Sequence, residues 1–172
     1  MSVFQKLLAL MVLKSTPQDM PYSVTLLVQL MVFYVLSGVV VLQTTISNDD
    51  TVAYMVLGLL VQMVFTYVVL GALDKSVRFM QTFCALIGAN LIFNLMSWPV
   101  LAVLSDETSQ DVLKSFMSLL ILLLVSWEIL VKAHIFKYAL EMKIFGALAL
   151  SFSLFFISFT LSQLLFPAET AG

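Results

Sequence analysis

The sequence is poor in the residues that carry most protein chemistry. It holds one cysteine, Cys84, and one histidine, His134, in 172 residues. The chain alone therefore builds neither a disulfide framework nor a thiolate or imidazole metal cluster. Charge is also scarce, with eight Lys and Arg against ten Asp and Glu, 10% of the chain and a net charge of −2. Nucleic-acid binding needs a concentrated positive patch, which this composition excludes, so no nucleic-acid partner is expected. Soluble domains are typically about 25% charged and 45–50% apolar. With 62% hydrophobic residues and a mean hydropathy of +1.08, this chain is no water-soluble globule. Enzyme signatures are missing as well: there is no G-x-S-x-G, no H-E-x-x-H, no Walker-type glycine loop and no pair of acids on facing apolar segments. No catalytic, cofactor or metal residue is assigned, and the chain is expected not to be an enzyme.

What the sequence does have is long uncharged runs. Met20 to Asn48, Thr51 to Leu73, Phe79 to Ser105 and Ile144 to Ala168 give 29, 23, 27 and 25 residues without Asp, Glu, Lys, Arg or His. About 20 apolar residues at 1.5 Å each cross a hydrocarbon core of about 30 Å. A fifth run, Ser115 to Val131, is 17 residues long and interrupted by Glu128; extending it through Ala133 or Ile135 supplies the missing length. The predicted fold is all-α: a polytopic bundle at 20–168 with spans near 21–43, 51–73, 79–104, 112–133 and 143–166, and a short tail at 169–172. The intervening loops are too short for an extramembrane domain, and an odd number of spans argues against a two-fold inverted repeat.

Basic residues give an independent test of that count. Lys6 and Lys14 precede the first span, Lys75 and Arg78 follow the second, and Lys132, Lys137 and Lys143 follow the fourth. Those three alternate segments hold seven of the eight basic residues, while Lys114 stands alone among Asp49, Asp50, Asp106, Glu107, Asp111 and Glu169. Cytoplasmic loops collect Lys and Arg, so the N-terminus is expected inside and the C-terminus outside. Removing the fourth span would destroy this alternation. Ahead of the spans, residues 1–19 read as an apolar stretch, Val3 to Leu13, followed by a turn containing Pro17. That stretch is too short to cross and has no small-residue cleavage site, so it is no secretory signal. It reads as a helix lying at the cytoplasmic interface with Phe4, Leu7, Leu8, Met11 and Leu13 toward lipid, or as a frayed terminus. Pro21 suits the first turn of the opening span.

Polar groups inside lipid need a partner or a cavity. Gln29, Gln62, Asn90, Asn94 and Glu128 are the residues so placed. Gln62 and Asn90 fall near mid-depth, Gln29 and Glu128 toward the cytoplasmic side, and Asn94 nearer the outside. Asn90 and Asn94 share a face of the third span, beside Gly88 and Ala85. Hydrogen bonding between helices accounts for such amides; a polar path for a solute is the functional alternative. Glu128 precedes Lys132 by four residues in the favourable order, so an interfacial ion pair anchoring the fourth span is expected, with His134 beyond the hydrocarbon. Ser151, Ser153, Ser158, Thr160 and Ser162 form a small-residue stripe on the fifth span, with Ala147-x-x-x-Ser151 and Ala149-x-x-x-Ser153 spacings that suit packing. Cys84 reads as a small buried hydrophobe.

The run from Ser126 through Trp127, Glu128 and the aliphatic residues to Lys132, His134, Lys137 and Glu141 is similar to the end of the fourth span in bacterial Yip1-like membrane proteins. The lead-in Pro17-Gln18-Asp19-Met20-Pro21-Tyr22-Ser23 resembles that of small bacterial inner-membrane proteins. The resemblance implies a five-span fold and, with the short loops and the absence of an N-x-Ser/Thr acceptor, a bacterial inner membrane. Eukaryotic members are tied to Rab GTPases and vesicle traffic, and no functional residue is carried over. The expected role is a non-enzymatic scaffold or assembly partner. Its third and fifth spans would contact another membrane protein or a second copy through Asn90, Asn94 and the Ser/Ala stripe. The alternative is a small permease or channel subunit lined by Gln29, Gln62, Asn90, Asn94 and Glu128.

Overall fold

The computed structural model describes residues 2–45 and 50–166. The expected tail, 169–172, and the acids Asp49 and Glu169 lie outside the described residues. The fold is all-α. Its helices are α1 (Val3–Met11), α2 (Val24–Thr45), α3 (Thr51–Ala72), α4 (Phe79–Ser105), α5 (Asp111–Leu140) and α6 (Ile144–Leu165), with 3-10 turns at Pro17–Asp19 and Ser76–Arg78. Helices α2 to α6 are long and apolar enough to cross a membrane. They run up and down, so the bundle has two distinct ends. The basic end carries Lys75, Arg78, Lys137 and Lys143, and the acidic end carries Asp50, Asp106, Glu107 and Asp111.

Helix boundaries follow local chemistry. Ser2 caps α1 with a box in which Ser2 Oγ accepts from Gln5 N at 3.3 Å and Gln5 Oε1 accepts from Ser2 N at 3.0 Å. Helix α2 begins at Val24 rather than at Pro21, because Ser23 Oγ accepts from Leu26 N at 3.3 Å and takes the cap. At their C-terminal ends α1, α3 and α5 all close by a six-to-one hydrogen bond: Lys14 N to Ala9 O, Lys75 N to Leu70 O and Met142 N to Lys137 O. The left-handed residue in each closure is Leu13, Asp74 or Glu141, not glycine. At the acidic end, Asp106 accepts from the Thr108 hydroxyl and N–H at 2.7 and 2.9 Å, and these bonds hold its carboxyl below the usual range.

Helix α5 differs from the expected 112–133 by continuing to Leu140. Hydropathy ends a span at its charges, whereas Lys132, His134 and Lys137 all find partners and the helix proceeds. Lys137 lies over the Tyr138 ring at 5.0 Å, and His134 Nε2 sits 2.9 Å from Ser15 O. His134 is thereby half-buried against the N-terminal segment.

The five long helices form a ring in the order α4, α2, α3, α6, α5 and back to α4, with α3 also touching α4 across it. Helix α1 packs against α4 from outside the ring. Leu7 and Met11, expected toward lipid, are 5% and 3% exposed, while Phe4, Leu8 and Leu13 do face outward. Leu7 fits against Gly88, where an added Cβ would collide with Leu7 Cδ2. Met11 O accepts from Trp127 Nε1 at 3.0 Å, thirteen residues or about 20 Å above the α5 terminus. The chain returning from α1 keeps its backbone satisfied: Ser15 Oγ donates to Lys6 O at 3.1 Å, and Gln81 Nε2 donates to Gln18 O and Met20 O at 3.0 Å.

Candidate functional site

Inside the ring lies a cavity of about 210 Å³ bounded by every long helix. Helix α2 contributes Tyr34; α3 contributes Tyr54, Gly58 and Gln62; α4 contributes Asn90 and Asn94; α5 contributes Glu128 and Lys132; and α6 contributes a strip from Leu154 to Ser162. Tyr54 and Ser162 stand three residues from the acidic ends of their helices, about one turn, so the cavity reaches from Lys132 almost to the acidic end.

Its polar floor is built from two contacts. Lys132 Nζ and Glu128 Oε1 are 2.5 Å apart on adjacent turns of α5, with the side chains 14% and 29% exposed. Glu128 lies twelve residues, about 18 Å, from the basic terminus of α5 and seventeen, about 26 Å, from its acidic terminus. The expected interfacial pair is therefore made, but near mid-helix and facing the cavity. Opposite it, Asn90 Nδ2 donates to Gln62 Oε1 at 2.7 Å, joining α4 to α3. That bond spends one atom of each amide and leaves Gln62 Nε2 and Asn90 Oδ1 without a partner. Burying an unpaired polar atom costs about 1–3 kcal/mol, and a polar cavity of this size has room for water to offset it.

Of the sequence-assigned polar residues, the structure brings Gln62, Asn90, Asn94 and Glu128 to one cavity, with Lys132 beside them. Gln29 does not join them: it is exposed near the basic end of α2, because its position on the helix turns it outward. Asn94 Nδ2 also reaches Ser37 Oγ on α2 at 3.4 Å. The α6 stripe divides in two. Ser151 and Ala147 are fully buried in the bundle, whereas Ser153 and Ala149 face outward and Ser153 Oγ donates to Ala149 O at 2.8 Å. Only the first of the two small-residue spacings is a packing surface. Asn90 and Asn94 are likewise turned into the ring and cannot form the outer docking face expected of the third span.

Tyr34, Tyr54 and Gly58 are cavity residues that the sequence reading misses, and Ser158 and Ser162, read there as packing residues, line the cavity too. Tyr34 carries the one signal that could have found it, since tyrosine favours membrane interfaces and Tyr34 falls midway along α2. Among the described residues no three of His, Cys, Asp and Glu come together, so the charged chemistry of the cavity is that of one carboxylate and one ammonium. Comparison with family models, curated proteins and solved structures finds no match to this chain.

Proposed function

We propose that the chain is a non-enzymatic multi-pass membrane protein that admits a small polar solute to its central cavity, as a permease or channel subunit does. One observation carries this reading: an ion pair near the middle of α5 faces a cavity whose wall includes two amides with an unpaired atom each. A bundle built only for assembly gains nothing from such a space, because helix contacts in lipid come from close packing and satisfied hydrogen bonds. The scaffold reading expects the amides to pair with one another in a dry interior; Asn90 and Gln62 do pair, but they do so beside a cavity that also takes in Asn94, Glu128 and Lys132. The proposal also places the basic end on the cytoplasmic side of a bacterial inner membrane, by the lysine and arginine asymmetry and the Yip1-like resemblance of the α5 terminus.

Flux through liposomes containing the full chain tests the reading, with glycerol and glycine as probes. Entry faster than in protein-free liposomes is expected, as is its loss in a Gln62→Leu, Asn90→Leu double variant that fills the cavity with apolar atoms. Equal rates with and without protein for both probes would contradict it.

A further inference from the structure

We infer that the ligand of this cavity is a small zwitterion, taken up by Glu128 and Lys132 together. The inference rests on the reading of the cavity as a solute site. The lining holds one acid and one base, already in contact. A lone cation reaching Glu128 displaces Lys132, and a lone anion reaching Lys132 displaces Glu128. Either leaves the other member of the pair without its counter-charge, because the rest of the cavity wall offers only amides, hydroxyls and apolar groups. A molecule carrying both charges replaces both contacts at once and leaves the cavity neutral.

The facing wall fits the same chemistry. Gln62 and Asn90 are 4% and 6% exposed, and each keeps one unpaired atom just behind the cavity surface, a donor Nε2 and an acceptor Oδ1, which a small side-chain rotation brings to a ligand. The donor suits an anionic oxygen and the acceptor suits an ammonium. Tyr34, Tyr54, Phe155 and Phe159 also line the space, and aromatic faces attract cations, quaternary ammonium included. A volume of about 210 Å³ accommodates a molecule of glycine or betaine size.

The test uses the full chain in liposomes with Cys84→Ala and Ser158→Cys, reacted with a water-soluble maleimide. Glycine, glycine betaine and γ-aminobutyrate are added as zwitterions, with acetate and methylammonium as single-charge controls. At least one zwitterion is expected to slow labelling by the factor 1 + [L]/Kd, about tenfold at ten times Kd, while the controls leave the rate unchanged. A Glu128→Gln, Lys132→Gln double variant, also neutral overall, is expected to label at the same rate and lose the protection. Labelling that no zwitterion slows, that acetate or methylammonium slows equally, or that stays protected in the double variant overturns the zwitterion while leaving a hydrated cavity. No labelling at Ser158→Cys overturns both the zwitterion and the solute cavity.

Discussion

Toward the basic end, α4 is buried on all sides through nine consecutive residues, Thr82 to Asn90; from Leu91 to Ser105 only Phe93 and Val100 are buried. Helix α5 repeats the contrast, with seven buried residues between Ile129 and Leu140 and Leu124 alone between Asp111 and Glu128. The basic half has an additional layer, α1 and its return segment, pressed on α4, and its ring is filled by Phe83, Leu86, Ile135 and Phe136. The acidic half has no such layer among the described residues and holds the polar cavity. Pro99 adds to the difference by denying the Leu95 carbonyl its intrahelical donor. A sealed half beneath an open one is the geometry of a vestibule with a floor, and Glu128 and Lys132 stand at the boundary.

If the halves differ in this way, truncations should cost different amounts in each. Phe136 is fully buried with its ring 6.0 Å from that of Phe65. In lipid the transfer term is small and the void dominates, at about 24 cal/mol per Å³, so Phe136→Ala should cost roughly 2 kcal/mol. Phe155→Ala, beside the cavity, should stay within about 0.5 kcal/mol. Unfolding by SDS in mixed micelles compares them, and equal losses would erase the distinction.

The ion pair gives a sharper contrast. Breaking a dry buried pair costs about 3–5 kcal/mol because one charge is left alone. In a wet cavity Glu128→Gln should cost less than about 1 kcal/mol. The same unfolding assay separates the two values.

The two tryptophans extend the comparison at smaller scale. Trp127→Phe removes the bond to Met11 O that fixes α1, and should cost about 0.6–1.7 kcal/mol. Trp98→Phe loses a 2.9 Å bond to Thr44 Oγ1 at an exposed site, and should cost less. A larger loss at Trp98 would deny that α1 reinforces the basic half.

The smallest effect is a pH dependence at the basic end. Glu141 accepts from Lys75 Nζ and Arg78 Nη2, both at 2.5 Å. Those bonds, with the two positive charges, lower its pKa from 4.5 to about 2. A depressed carboxylate pKa contributes stability that is complete above 4.5 and lost as pH falls toward 2. Hydrogen exchange in the Asp74–Arg78 turn should be unaffected by this group above pH 4.5 and quicken below it, with Glu141→Gln abolishing the change. Quickening between pH 5 and 7 that depends on Glu141 would contradict the assignment.

Span number and span order were legible in the sequence, because length and charge are properties of single segments. Faces were not. Lipid is as apolar as leucine, so Leu7 against Gly88 and Leu8 against lipid look alike in sequence. The extension of α5 to Leu140 was hidden for a related reason: the contacts of His134 and Lys137 that keep the helix going come from residue 15 and from a neighbouring ring. The cavity itself needed Tyr34, Glu128 and Ser158 on three helices to be brought together, which only the packing order supplies.

The most direct measurement compares two serines seven residues apart on α6. Ser158 borders the cavity and Ser151 is fully buried below it. In a Cys84→Ala background, Ser158→Cys should react with a membrane-impermeant thiol reagent applied from the acidic side, and Ser151→Cys should not. Reaction at both positions, or at neither, would contradict a hydrated acidic half closed by a dry basic one.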